Sequence, residues 1–320
     1  MNQMLRTGIA AILVFCILMT ATALANTSRY LRIASGDVAS GLFTLAGSVA
    51  GAISNPAGAR SCTDSHNCNT IGLIAVAQTS SSANAALLKL RGGGVDAAVI
   101  PASLAYAAYT GSSQRLISPW NGMRLLANLS VRPILVVARA DIKAQTLASI
   151  NGWRIATGPR DSDASADAAM LLAALGVTRY QNINNDLGLG AAEMITGNMA
   201  DAVVLMTDEL PAPERAAIAA GTLRLIDPGK GDLERATSQY PFLERRVIDP
   251  GTGENYTTLG SGSVLLVRAD LPAPVALTIL TRLWSNPDDT FNRQDAGSRG
   301  PVPLHETAEN FYKEHTTHDQ

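Results

Sequence analysis

Tyr30-Leu31-Arg32-Ile33-Ala34-Ser35-Gly36-Asp37 reads as a short strand running into a turn, and Leu42, Leu45, Ala46, Val49 and Ile53 then recur at spacings of three and four. That spacing puts the apolar side chains on one face of a helix. Ser40 stands where a side chain can cap it. The same order recurs at once. Ile71 to Ala77 is an apolar run, Thr79-Ser80-Ser81-Ser82 breaks it, and Ala85-Ala86-Leu87-Leu88-Lys89-Leu90 reads as a helix. Gly92-Gly93-Gly94 ends that helix, because glycine takes a left-handed cap without a Cβ penalty, and Val95 to Ile100 is the next strand. Strands alternating with helices at this pitch predict parallel βαβ units, hence an α/β fold.

Leu125 to Leu129 and Ile134 to Ala138 are two further strand-like runs. A second block opens near Leu147. Trp153 to Thr157 reads as its strand, Gly158-Pro159-Arg160-Asp161-Ser162 as its turn, and Ala168, Leu171, Leu172 and Leu175 as the inward face of its helix. Helices at Ala191 to Ile195 and Pro211 to Ala220 alternate with strands at Ala202 to Met206 and Leu223 to Ile226. A late strand at Ser263 to Val267 and a helix around Ala308, Phe311 and Tyr312 close the chain. The two blocks share only a strand-turn-helix opening.

The 320 residues are 47% hydrophobic and 16% charged, with 25 Lys+Arg against 27 Asp+Glu. Without a basic cluster there is no electrostatic footprint for nucleic acid. The apolar fraction excludes a disordered chain, and the length suits two domains or one large α/β unit.

Arg6, the apolar run Ile9 to Met19 and Ala23-Leu24-Ala25 read as a signal peptide over residues 1–25. The competing reading is an uncleaved anchor, for which Ile9 to Ala25 stands near the lower length limit. Cleavage removes Cys16 and leaves Cys62 and Cys68, an even count that implies a disulfide in an oxidising compartment. So short a loop would gain on the order of 2.5 kcal/mol. A metal site through His66, which lies between the two cysteines, would need further ligands that no second Cys or His cluster supplies. The reading is therefore of an exported chain, not integral to the membrane once cleaved, with neither metal nor cofactor.

Three polar strand-to-helix loops stand out: Ser35 to Gly41, Thr79 to Ser82 and Gly158 to Ser162. Helix N-termini present free N–H groups that collect carboxylates or phosphates, although plain capping requires the same residues. Asp37, Asp161, Asp163 and Asp167 flank these loops; facing a cleft, they would favour an amine or a polar solute unless Arg160 offsets them. Catalytic signatures are incomplete. His305-Glu306 lacks the second histidine of a zincin, since Glu309 holds that position. Gly260-Ser261-Gly262-Ser263 is not a nucleophile elbow, and Gly188-Leu189-Gly190 has no third glycine for a dinucleotide fingerprint. An enzyme is not expected.

Several segments together resemble the TAXI-type solute receptors of the TRAP transporter family. They include Leu31 to Gly36 with Gly41 and Gly47, the cysteine pair ahead of Ser80, and Leu87 with Leu90, Gly93 and Asp96. Ile150-Asn151-Gly152-Trp153-Arg154-Ile155, Gly197 with Asp201-Ala202, Val264 to Pro272, and Pro303-Leu304-His305 with Phe311 to Glu314 complete the series. The resemblance implies a two-lobed type II periplasmic binding protein fold, with mixed, mostly parallel sheets and a two-strand hinge. Residues 26–130 plus 264–320 would form lobe one and 131–263 lobe two. It also implies a small polar solute, an organic acid or an amino acid such as glutamate, delivered to TRAP membrane permease subunits; the alternative is a module feeding a membrane sensor. By position, the solute would meet Ser35, Gly36, Ser40, Thr79, Ser80, Ser103 and Ser162, with Arg160 beside them. The sequence departs from the family pattern where Ser81 and Ser82 replace a glycine pair, Ala86 an asparagine, Pro101-Ala102-Ser103 a Gln-Ser-Asp, and Glu209 a glycine.

Overall fold

The computed structural model describes residues 29–54, 73–112, 118–144, 146–251, 253–285, 291, 296–297 and 300–316. The expected signal peptide and the Cys62, Cys68 and His66 loop lie outside the described residues.

Lobe one starts from three parallel strands, β1 (Arg29–Ala34), β2 (Leu73–Gln78) and β3 (Ala97–Pro101), in the order β2-β1-β3. They alternate with α1 (Leu42–Ser54), α2 (Ala83–Arg91) and α3 (Ala102–Thr110). Leu42, Ala46, Val49 and Ile53 form the buried stripe of α1 that the spacing predicts. Ser82, one of the departures from the family pattern, caps α2 by accepting from the Ala85 N–H at 3.2 Å. A serine oxygen there satisfies a donor that glycine would leave to water.

The chain then enters β4 (Met123–Arg139), one continuous strand where the sequence reads as two. Pro133 does not break it, because pairing changes partner at that residue. Gly260 stands opposite Pro133, whereas Ile134 pairs with Met206 in the other lobe. A missing N–H is tolerated where one ladder ends and the next begins.

Lobe two repeats the plan with β5 (Arg154–Gly158), α4 (Asp163–Ala174), β6 (Gln181–Asn184), α5 (Ala191–Thr196) and β7 (Ala202–Met206). β5 lies parallel between β6 and β7. After α6 (Ala212–Ala219), β8 (Leu223–Leu225) pairs with the end of β4. Within 134–138, Ile134, Val136 and Ala138 pack into the larger core with α4, while Leu135 and Val137 pack against α5 on the opposite face. This period-2 division explains why the whole run is apolar.

The chain returns through α7 (Lys230–Gln239), β9 (Glu244–Ile248) and the second long strand, β10 (Tyr256–Arg268), and ends with α8 (Ala273–Ser285) and α9 (Glu306–Thr316). β10 runs antiparallel to β3, β4 and β9, so the antiparallel pairs all involve the two long strands. The expected lobe boundaries at 130/131 and 263/264 fall inside β4 and β10.

The two halves share more than an opening. In lobe one, Asp96, just before β3, accepts from the Arg32 backbone N–H at 2.8 Å and from its guanidinium. In lobe two, Asp201, just before β7, accepts from the Arg154 backbone N–H at 2.9 Å and from its guanidinium at 2.7 Å. Each clamp fixes the first strand of a lobe to the third. The Arg154 guanidinium holds the Asp201 carboxyl below its ordinary range.

Candidate functional site

A cavity of about 390 Å³ lies between the lobes, beside the antiparallel run of β4 and β10. That volume suits a small molecule. Arg132 of β4 and Ser261, Gly262 and Ser263 of β10 form one wall. Ser40, Gly41, Leu42 and Pro101 face it from lobe one, and Thr157, Asp163, Asp167, Asn185 and the Val203 to Met206 stretch from lobe two.

Close backbone approach at the hinge explains the glycines of Gly260-Ser261-Gly262-Ser263. A Cβ on Gly262 would stand 2.5 Å from the Ser130 carbonyl oxygen, and one on Gly260 would stand 2.5 Å from Val131. The spacing that fails as a catalytic motif is a packing motif. It brings the two long strands together and exposes Ser261 and Ser263 to the cavity.

Several polar side chains at the cavity are committed to the protein. The Ser40 hydroxyl donates to the Asp37 carbonyl at 2.7 Å and accepts from the Leu42 N–H at 3.3 Å. Thr157 donates to Asn182 at 2.8 Å, and Asn185 holds its own loop through both polar groups of Leu189. Arg132 differs. Its guanidinium has no hydrogen-bond or ion-pair partner among the described residues and lies 3.9 Å from the Cβ position of Gly41, at the start of α1. Gly41 has φ of +73°, so a side chain there would be strained as well as close to this cation.

Opposite stand two buried carboxylates one helical turn apart. Asp163 Oδ2 accepts the Ala83 N–H from lobe one at 2.8 Å. Asp167 accepts from the hydroxyls of Ser103 and Ser261, the latter at 3.4 Å. Desolvation pushes the Asp167 carboxyl up to about 6, the two serine hydrogen bonds oppose that rise, and the Asp163 charge adds to it.

Of the residues expected at the site, only Ser40 lines the cavity. Gly36 lies just behind, where a Cβ would come within 2.9 Å of both Ser40 Oγ and Asp163 Oδ2. Ser35 is fully buried, its N–H donating to the Gln78 carbonyl at 2.9 Å. Thr79 donates to the Gly36 carbonyl at 3.1 Å, and Ser80 accepts from Lys89 at 3.1 Å. These contacts tie the 35–41 and 79–82 loops together. Ser103 reaches the site through Asp167. Ser162 caps α4, accepting from the Ser165 N–H at 3.1 Å. Arg160 is exposed and pairs loosely with Asp186 at 3.9 Å, outside the cavity lining. His305 caps α9: its Nδ1 accepts from the Thr307 N–H at 3.2 Å, which leaves Nε2 to donate to the Leu271 carbonyl at 3.1 Å. Sequence reasoning missed Arg132, although a lone arginine between two apolar strand runs was a visible signal. It also set aside Ser261 and Ser263 along with the catalytic motif they failed to complete.

Among the described residues no group of three His, Cys, Asp or Glu side chains could hold a metal ion, and no helix is long and apolar enough to cross a membrane.

Two α/β lobes, a pair of long connecting strands and an interlobe cavity define the class, a two-lobed mixed α/β fold with room for a small molecule between its lobes. The chain belongs to the NMT1-like family, whose profile matches residues 33–315. Among solved structures, a TctC solute binding protein from Polaromonas is 17% identical, over 91% of this chain and 98% of that one, with a TM-score of 0.49. A putative periplasmic sulfonate-binding protein from Methylobacillus flagellatus is 13% identical, over 81% and 68%, with a TM-score of 0.43. The periplasmic VFT2 domain of Bordetella pertussis BvgS is 14% identical, over 81% and 88%, with a TM-score of 0.42.

Proposed function

We propose that this chain is an exported solute receptor, the binding subunit of a TAXI-type TRAP transporter, which takes a small organic acid or amino acid between its lobes and delivers it to a membrane permease. The observation that carries this reading is Arg132, a cation at the cavity wall with no partner among the described residues, beside the start of α1. A solute carboxylate placed there meets a guanidinium and the positive end of a helix. Asp163 and Asp167 on the facing wall accept from an amine or hydroxyl at the other end of the solute. Ser40 borders the same space, and Ser35, Gly36, Thr79, Ser80, Ser103 and Ser162 set the loops that shape it. Arg160, exposed and paired with Asp186 outside the lining, is proposed to draw incoming anions.

Catalysis plays no part in this reading; binding and lobe closure are the function. The test is a thermal-shift screen of dicarboxylates, 2-oxoacids and amino acids, glutamate included, on the wild-type protein and on Arg132→Gln. The expected result is a stabilising solute with an anionic group whose effect disappears in the variant. A panel that stabilises neither protein would overturn the reading. A solute bound equally by both would remove Arg132 from it. Uptake reconstituted with candidate permease subunits separates a transporter from a sensor.

A further inference from the structure

The loops expected to receive a solute in lobe one are already engaged from across the cleft. The Ala83 N–H, at the first position of α2, donates to Asp163 Oδ2 of α4 at 2.8 Å, in a buried contact. The same oxygen lies 2.9 Å from where a Cβ on Gly36 would stand, so this carboxylate sits between the 35–41 loop and the start of α2. One turn further along α4, Asp167 accepts from Ser103 in the first turn of α3 and from Ser261 on β10. Both acids are only 7% exposed. One face of a lobe-two helix therefore presents carboxylates at i and i+4 to the starts of two lobe-one helices.

We infer that Asp163 and Asp167 form a latch that holds the lobes together when no solute is bound, with the Asp163 side chain occupying lobe-one backbone that an incoming carboxylate would otherwise meet. Closing the cleft in such a protein then requires no ligand, and a solute enters after the latch opens. The inference requires only that the lobes can separate about β4 and β10. It does not depend on which solute, if any, the cavity takes.

The latch is tested on protein stripped of small molecules by dialysis from denaturant and refolding, with two readouts: small-angle X-ray scattering for lobe separation and hydrogen exchange at the α2 start for the contact itself. Asp163→Ala removes the acceptor. Ala83→Pro removes the donor, and proline suits this first helical position, because the preceding Ser82 is extended (φ −165°, ψ 166°) as a residue before proline should be. The stripped wild type is expected to scatter as the closed form. Both variants should expand, and amides in the first turn of α2 in Asp163→Ala should exchange about 10- to 100-fold faster, the factor expected for losing a hydrogen bond to a charged group. Asp163→Asn keeps an acceptor at the same place and should stay closed. A stripped wild type that is already open, or variants whose scattering matches wild type, would overturn the latch. If Asp163→Ala fails to fold, Ala83→Pro decides the question alone. No solute is used, so solute binding can fail while the latch stands, and the reverse.

Discussion

Asp167→Asn should be at least as stable as the wild-type protein at pH 8 and should lose that advantage below pH 5. The folded Asp167 carboxyl is pushed from an ordinary 3.8 to about 6, with burial as the first cause. An acid whose folded value is raised binds more protons folded than unfolded between those two values, so rising pH costs stability across that window and the cost is constant above it. A shift of this size corresponds to about 3 kcal/mol as an upper bound. Asparagine carries no charge to desolvate, and its carbonyl oxygen still accepts from Ser103 or Ser261. The assay is urea unfolding of both proteins at several pH values from 4.5 to 8, read as the difference in free energy so that groups common to both cancel. The variant is expected to gain up to about 2 kcal/mol on wild type as pH rises from 4.5 to 7, the rest of the shift lying below pH 4.5, with the two curves parallel thereafter. A difference that is flat with pH, or one in which wild type gains on the variant, would refute the burial argument and mean that the carboxylate is better solvated than the structure has it.

Three further outcomes follow from the same geometry. Gly262→Ala puts a Cβ 2.5 Å from the Ser130 carbonyl oxygen, which is backbone and cannot turn aside; a loss of about 1–3 kcal/mol in thermal or urea unfolding is expected, and an unchanged midpoint would show that the hinge strands relax freely. Ser82→Ala removes the cap accepting from Ala85 and should cost about 1 kcal/mol, with Ser82→Gly costing only a few tenths; equal losses in unfolding midpoint would point to a role other than capping. Glu214 is 1% exposed, with Oε1 accepting from Ala192 at 3.1 Å and Oε2 buried without a hydrogen-bond partner among the described residues. Glu214→Gln should therefore be close to neutral while Glu214→Ala costs about 1–2 kcal/mol through the lost cap of α5, a contrast read by denaturant titration and contradicted if the glutamine variant is the weaker of the two.

Much of the fold was legible because its signals are local. The α1 stripe, the glycine stop after α2 and the Ala202 to Met206 strand follow from periodicity and turn chemistry within a few residues, and they stand where the pattern puts them. What was missed depends on distant partners. Pro133 looks like a break until Gly260 and Met206 supply the change of partner. β6 and β9, which have no fully buried residue, and the polar α7 gave little apolar signal. The Arg32–Asp96 and Arg154–Asp201 clamps span 64 and 47 residues, so their kinship shows only once the strands are side by side. At the site, serines drew attention to the helix-start loops, yet most of those hydroxyls are used up in capping and in tying loops together. Arg132, Asp163 and Asp167 come together only through the long strands and the docking of α4, which no spacing in the sequence encodes.

The long strands also divide the energetics of binding. Arg132, Gly262 and Ser263 stand on β4 and β10 themselves, at the axis about which the lobes would turn, so their positions change least between open and closed forms. A ligand gains nearly the same energy from them in both states, and a contact made equally in two states shifts no equilibrium between them. Those residues can set how tightly a solute is held and which charge it carries, but not whether the molecule shuts. Any driving force for motion has to come from groups that bridge the lobes away from the two long strands, the Asp163 contact with the start of α2 first among them. Affinity and movement are thereby assigned to different parts of one small cavity, and each can be tuned without disturbing the other.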